Sequence, residues 1–306
     1  MVRHTPLWHS ASLSAAAGIP VHLKLENTQH TGSFKIRGAA NTLLSMSEGD
    51  RRCGVVAVSS GNHGRAVAAV AADLGVPATV CISSRVPAVK VAAMQALGAR
   101  VEVGGPTQDD AEALALRIVS AEGATLVHPF DDPRVIAGQG TIALEVLEDL
   151  PEVGTVIVPL SGGGLISGIA VAMKAAGPGI RMIGVSQDRG PAMIDSLAAG
   201  HPVDVVEEDT LADALAGGLG PANHHTFAMC RELLDETHTV SEEEIAGAMA
   251  ALFRHDHQVA EGGGAVGVAA LLAGKVVPSG PTAVVVSGGN VAPETLLAVV
   301  GAAGGG

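Results

Sequence analysis

The chain has 306 residues, 47% of them hydrophobic and 16% charged, which suits one large or two moderate globular domains and excludes a disordered chain. A formal net charge of −13 with no basic run argues against a nucleic-acid partner. Cys53, Cys81 and Cys230 form no Cys-x-x-Cys pair, so neither a disulfide framework nor a zinc site is expected and a reducing cytoplasm fits.

With no Tyr, one Trp and four Phe, the core must be built from Ala, Val, Leu and Ile. No leader pattern opens the chain, and no uninterrupted apolar run of about 20 residues suggests a membrane span. The first expected strand is Val21–Asn27, followed by Thr31-Gly32-Ser33-Phe34-Lys35-Ile36-Arg37-Gly38 and a helix over Ile36–Met46. Short apolar runs then alternate with Ala/Leu-rich segments. Strands are expected at Val55–Val58, Ala78–Ile82, Val101–Val103 and Thr125–Val127, with helices at His63–Leu74, Pro87–Leu97 and Gln108–Ala121 between them. Thr107 is the expected N-cap of the third helix, with Asp109 and Asp110 in its first turn. A helix is expected from about Val135 to Leu150, then a strand at Thr155–Val158, the turn Ser161-Gly162-Gly163-Gly164 and a helix to Ala176. Arg181–Val185 and Thr282–Val286 read as strands, and Ser241–Phe253 as a helix with a capping box. The acidic, turn-rich stretch from His201 to Pro221 suggests no element, and the glycine-rich tail 301–306 is expected to fray. Apolar strands alternating with helices indicate open α/β domains whose parallel-rich sheets are covered on both faces.

Four strand-to-helix or strand-to-loop junctions carry chemical potential. Lys35 stands at the mouth of one, in a mostly apolar setting that makes a lysine usable as a nucleophile, base or Schiff-base former; the plain alternative is an ordinary helix-start lysine. The Ser161–Leu165 turn can curl backbone N–H groups toward one phosphate. It lacks both the dinucleotide fingerprint and the Gly-Lys-Ser/Thr of a nucleotide loop, and the plain alternative is a tight turn. Ser59-Ser60-Gly61-Asn62-His63 offers hydroxyls and N–H groups to a carboxylate, although His63 equally suits packing. Ser287 ends the last strand before two glycines, where a neutral hydroxyl can meet a ring nitrogen. Ligands of open α/β sheets bind at such strand ends. A Schiff-base lysine, one phosphate cradle, a carboxylate loop and a ring-nitrogen hydroxyl together describe pyridoxal 5'-phosphate and an amino acid.

The chain resembles the fold-type II pyridoxal-phosphate enzymes (tryptophan synthase β-like), and within them the serine/threonine dehydratase family that includes serine racemase. The stretches that carry the resemblance are Thr5–Leu7, Lys24–Asn27, Gly32–Ala39, Ser60–His63, Pro129–Pro133, Gly138–Thr141, Ser161–Leu165 and Ser287–Asn290. The resemblance implies that Lys35 holds the cofactor with Phe34 beside it, that Asn62 meets its ring hydroxyl, that Ser161, Gly162, Gly163, Gly164 and Leu165 bind its phosphate, and that Ser287 faces its pyridine nitrogen. Ser59, Ser60, Gly61, Asn62 and His63 would hold the substrate carboxylate, and Ser60 joins Lys35 as a catalytic candidate. It further implies a large domain of residues 1–53 and 132–306, a small domain of residues 54–131 inserted in it, and a homodimer or higher homo-oligomer.

The chain departs from the family at instructive places. Arg65 stands where Gln is common. Ser186–Ala192 lacks the acidic residues of the family's cation motif, so no metal is expected. Phe130 and Ala111 replace the Asn and the substrate-facing Arg of serine racemases, which favours dehydration, whereas Ser60 matches the racemase-like position. Gly61–Arg65, Ser186–Gly190, Thr210–Asp213 and Glu261–Gly267 resemble a narrower hydroxyectoine-utilisation branch. The expected activity is a lyase reaction: elimination of water from a β-hydroxy amino acid, L-threonine, L-serine or a hydroxyectoine-derived relative, to a 2-oxo acid and ammonia. Racemisation, β-replacement and a catalytically silent binding protein are the alternatives.

Overall fold

The computed structural model describes residues 1–59, 61–86, 88–220 and 222–302. The expectations placed on Ser60, on Pro87 as a helix start, on Pro221 and on tail residues 303–306 lie outside the described residues. In chain order the elements are β1 (Leu7–His9), α1 (Ala11–Ala17), β2 (Val21–Leu25), α2 (Lys35–Ser45), α3 (Glu48–Cys53), β3 (Val55–Val58), α4 (Asn62–Leu74), β4 (Ala78–Ser83), α5 (Ala88–Ala96), β5 (Arg100–Gly105), α6 (Gln108–Glu122) and β6 (Thr125–Leu126). They continue with α7 (Pro133–Asp149), β7 (Thr155–Pro159), α8 (Gly164–Ala176), β8 (Arg181–Gln187), α9 (Ala192–Ala199), α10 (Thr226–Leu233), β9 (Glu236–Val240), α11 (Glu242–His255), α12 (Gly262–Leu272), β10 (Thr282–Val286) and α13 (Pro293–Ala302).

Two compact units form. One comprises residues 1–3 and 35–139, the other residues 4–34 and 140–306. The first holds a sheet in the order β5-β4-β3-β6, all parallel. Alternation along its strands sends Val55 and Ala57 toward α2 and α4, and Val56 and Cys81 toward α6. The second holds a sheet in the order β1-β2-β10-β7-β8-β9, in which only the β1–β2 pairing is antiparallel among the described strands. There Leu23, Ile157, Val284 and Val286 pack on one face, and Val156, Val158, Ala283 and Val285 on the other. Strands covered on both faces have no solvent side, which is why they read as unbroken apolar runs.

Several elements escape the sequence pattern. β9 is mostly polar, Glu236-Thr-His-Thr-Val240, and lies at a sheet edge. Helix α12 opens with three glycines, a composition that reads as a turn. It is a helix because its backbone packs closely on its surroundings: a side chain at Gly267 would meet Val284 Cγ1 at 2.9 Å, and one at Gly264 would meet the Gly288 amide nitrogen at 3.1 Å. The acidic stretch after His201 is docked, with Leu211 N donating to Glu242 Oε2 (2.8 Å) and Ala212 and Leu215 buried in the core. Gln187 donates through Nε2 to the Arg189 and Leu215 carbonyls (3.3 and 3.4 Å). Among the described residues, no group of three or more His, Cys, Asp or Glu could hold a metal ion, and no helix is long and apolar enough to cross a membrane.

Lys24, in the middle of β2, is fully buried. Its Nζ lies 2.6 Å from Glu145 Oε2 and donates to the Thr5 carbonyl at 2.6 Å. Thr5 in turn donates through its hydroxyl to the buried Glu26 (2.5 Å). Removing one partner of a buried ion pair strands the other charge, at a cost of about 3–5 kcal/mol, whereas replacing both by apolar groups is close to neutral. Lys24→Met is therefore expected to lower the free energy of urea unfolding by about that amount, with Lys24→Met/Glu145→Leu recovering most of it. A single variant as stable as the parent would contradict this account of the network.

Candidate active site

The loop before Lys35 is held by backbone pairing to the end of β10. Phe34 N donates to the Ser287 carbonyl (3.0 Å), Gly289 N donates to the Gly32 carbonyl (2.9 Å), and Ser33 and Gly288 form an antiparallel bridge. Asn290 adds a side-chain bond from Nδ2 to the Thr31 carbonyl (2.9 Å). Gly32, at φ 76°, and Gly289 permit this approach: a side chain at Gly289 would meet the Val259 carbonyl oxygen at 2.5 Å. Two of the stretches singled out from the sequence, Thr31–Phe34 and Ser287–Asn290, are thus zipped together. The Phe34 side chain packs against the core of the second unit. Ser287 is buried, and beside it the fully buried hydroxyl of Ser33 has no hydrogen-bond partner among the described residues.

In the second unit the glycine turn joins β7 to α8. Gly162, Gly163 and Gly164 are buried and Ser161 is half-buried. Gly163 is the N-cap of α8 in the left-handed region, φ 86°. A side chain there would meet Met193 Cε at 2.8 Å, and Cys230 Sγ and Thr226 Cβ at 3.0 Å. Amides without side chains, at the positive end of a 13-residue helix, form a cradle suited to one phosphate without any cationic residue. The Cys230 thiol under this turn is pushed up to about 12 by burial, opposed by its hydrogen bond with Ser167, so it acts as a packing group.

In the first unit Lys35 is the first residue of α2, whose buried face of Ile36, Ala39, Ala40 and Leu43 fixes the helix. Its Nζ is half-buried and donates to the Pro129 carbonyl (2.7 Å). That acceptor had no signal in the sequence, because any residue supplies a carbonyl. Asn62 begins α4 and is half-buried, with Gly61 as its N-cap; Gly61 N donates to Ser59 Oγ (3.2 Å). The α4 N-terminus therefore presents backbone N–H groups without a capping side chain among the described residues. His63 is buried and its Nε2 donates to the Val127 carbonyl (2.8 Å). Its pKa falls to about 3, first through burial and then through the charge of Lys35. The imidazole is neutral, with Nε2 committed to the Val127 carbonyl. Ala111 lies fully buried against Val56 and Cys81.

Each unit by itself offers chemistry that suits part of pyridoxal phosphate: in the first a lysine amine suits its carbonyl, and in the second a glycine amide turn and a buried hydroxyl suit its phosphate and ring nitrogen. The model of the family described as pyridoxal-phosphate dependent enzymes matches residues 1–288. The chain belongs to that family. It is 47% identical over 291 residues to an L-threonine ammonia-lyase of Thermotoga maritima, covering 95% of this chain and 72% of the relative. Maize serine racemase has a similar structure, with a TM-score of 0.92 at 36% identity over 99% of this chain and 93% of the other. So does threonine deaminase isoform 2 of Solanum lycopersicum, with a TM-score of 0.93 at 34% identity over 100% of this chain and 84% of the other. The fold is fold-type II α/β, and the protein is a pyridoxal-phosphate-dependent lyase.

Two outcomes are expected. Gly163→Ala, forced into left-handed backbone and against Met193, should cost about 1–2 kcal/mol of stability and weaken pyridoxal-phosphate binding in an absorbance titration. Gly18→Ala, at φ 71° with open space around it, should show the strain without the loss of binding. For His63, an unfolded chain takes up a proton near pH 6.5 that the folded chain refuses until about pH 3. Its stabilisation is therefore complete above about pH 6.5 and is lost as pH falls toward 3, at about 1.4 kcal/mol per pH unit. Unfolding measured between pH 6.5 and 4.5 should be less pH-dependent in His63→Gln than in the parent; parallel dependences would refute the assignment.

Proposed function

We propose that this enzyme eliminates water from a β-hydroxy amino acid, releasing a 2-oxo acid and ammonia. The observation that best supports this reading is the zipped pair of loops, which sets the residue before Lys35 against the strand end that carries Ser287. Bound pyridoxal phosphate would supply a carbonyl for the substrate amine and a sink for charge developing at Cα. Lys35 would hold the group through that carbonyl, and its Nζ, once free, would take the Cα proton. Ser161 to Leu165 would hold the phosphate, and Asn62 would meet the ring hydroxyl. Ser287 would offer the ring nitrogen a neutral hydroxyl and not a carboxylate, an environment that favours loss of the β-hydroxyl. Ser59, Ser60 and the amides of Gly61 to His63 orient the substrate carboxylate so that its Cα proton faces Lys35.

L-Threonine and L-serine are the first candidate substrates, because the relatives at 44–47% identity are named for L-threonine. A hydroxyectoine-derived amino acid is the narrower candidate, supported by Glu261–Gly267 and Thr210–Asp213. Racemisation is the second reading, favoured by the likeness to maize serine racemase and by Ser60. We further propose a cytoplasmic homodimer or larger homo-oligomer, with residues 54–131 as the smaller domain inserted in the larger.

The test is ammonia release from L-threonine, L-serine, hydroxyaspartate and hydroxyectoine derivatives, with and without EDTA, alongside chiral analysis of residual substrate. Ammonia release in EDTA is the expected result; inversion without ammonia would replace the dehydratase with a racemase. Lys35→Ala should lose the absorbance of lysine-bound pyridoxal phosphate and lower turnover by a factor on the order of 10³ or more. Parental turnover in that variant would sink the role given to Lys35.

A further inference from the structure

The turn between β6 and α7 carries a set of contacts that the proposed chemistry does not use. His128 Nδ1 accepts from Asp131 N at 2.7 Å and from Phe130 N at 3.3 Å. A nitrogen that accepts from backbone N–H groups carries no proton of its own, so the imidazole is neutral and its proton sits on Nε2. The ring stands edge-on to Phe130, with centroids 4.7 Å apart and planes at 83°. One residue upstream, the Val127 carbonyl accepts from buried His63. One residue downstream, the Pro129 carbonyl accepts from Lys35 Nζ. Beyond the turn Asp132 Oδ1 accepts from Arg134 N (2.7 Å) and starts α7. Backbone polar groups on both sides of Pro129 are therefore tied, and they leave its carbonyl aimed at the lysine.

We propose that His128 is a positioning residue for Lys35: its unprotonated Nδ1 fixes the Pro129 turn, and the Pro129 carbonyl holds the lysine amine in place. His128 touches neither substrate nor cofactor in this account. It acts through the peptide plane between Pro129 and Phe130, whose N–H it binds and whose carbonyl binds Lys35. The two contacts lie on opposite sides of one rigid amide, so rotation of that plane to satisfy the N–H elsewhere would carry the carbonyl away from Nζ. The inference rests on the Lys35 reading above for its catalytic consequence but not for its geometry.

Asparagine places Oδ1 at the same bond distance from the backbone as His Nδ1, whereas glutamine places its oxygen one bond further out. His128→Asn should therefore preserve the turn and His128→Gln should not. The full-length protein, stripped of cofactor, is labelled with trace acetic anhydride. Acetylation of Lys35 is read by mass spectrometry against exposed Lys90, and amide exchange at Phe130 and Asp131 is followed in the same samples. His128→Gln should change the relative labelling of Lys35 about tenfold and speed exchange at both amides, with His128→Asn within twofold of the parent. After reconstitution with pyridoxal phosphate, kcat should fall in His128→Gln while KM stays within twofold, and His128→Asn should restore it. Equal behaviour of the two variants, or parental labelling in His128→Gln, overturns the proposal. Should His128→Gln fail to fold, nitrogen-15 shifts of the His128 ring in the parent decide: a proton on Nδ1 overturns it, and one on Nε2 alone, with parental labelling in His128→Asn, supports it. The labelling requires no turnover, so altered labelling beside an active Lys35→Ala variant would refute the catalytic reading and leave the positioning role standing.

Discussion

The site depends on a backbone zipper. Gly32 to Phe34 and Ser287 to Gly289 are residues of no shared pattern, separated by most of the chain, yet their amides and carbonyls pair around a single antiparallel bridge. Such pairing tolerates no bulk on the inner side, which is why glycines stand at 32, 288 and 289. The zipper holds Phe34, the last residue of its segment of the second unit, against the end of β10. The buried Lys24–Glu145 pair and the Thr5–Glu26 bond support β2, the strand from which the same loop departs.

A second constraint acts at the glycine turn, whose own residues 161–165 carry no charged side chain. Gly162, Gly163 and Gly164 offer dipoles and not cations, so the phosphate proposed there would be held by oriented amides at the start of α8. The atoms packed beneath Gly163, from Met193, Thr226 and Cys230, leave no room for a side chain. An anion held in this way would be recognised by shape and dipole, at little cost in reorganisation.

Histidines near the lysine are neutral for different reasons. His63 is buried and bonded to Val127, and burial alone would discharge it. His128 is neutral because two backbone amides occupy the nitrogen that would take a proton. Neither adds positive charge beside Lys35, which suits the two roles proposed for that amine.

Much of the molecule was legible in the residues. Strands buried on both faces announce themselves as apolar runs, and β3 and β10 lie where the pattern placed them. Helix caps such as Thr107 and Ser241 are local chemistry and were equally readable. Lys35, the glycine turn and Ser287 drew attention because each puts an unusual residue at a strand end. Polar edge strand β9 and glycine-rich α12 carry no such signal, since neighbours and not their own side chains decide their conformation. The partners of the site residues were beyond the sequence altogether. Ser287 and Pro129 bind their partners through carbonyl oxygens, Phe34 through its amide, and every residue but proline carries both groups. Which carbonyl Lys35 meets, and which amides His128 holds, is a matter of how the chain is folded, because backbone atoms carry no sequence information of their own.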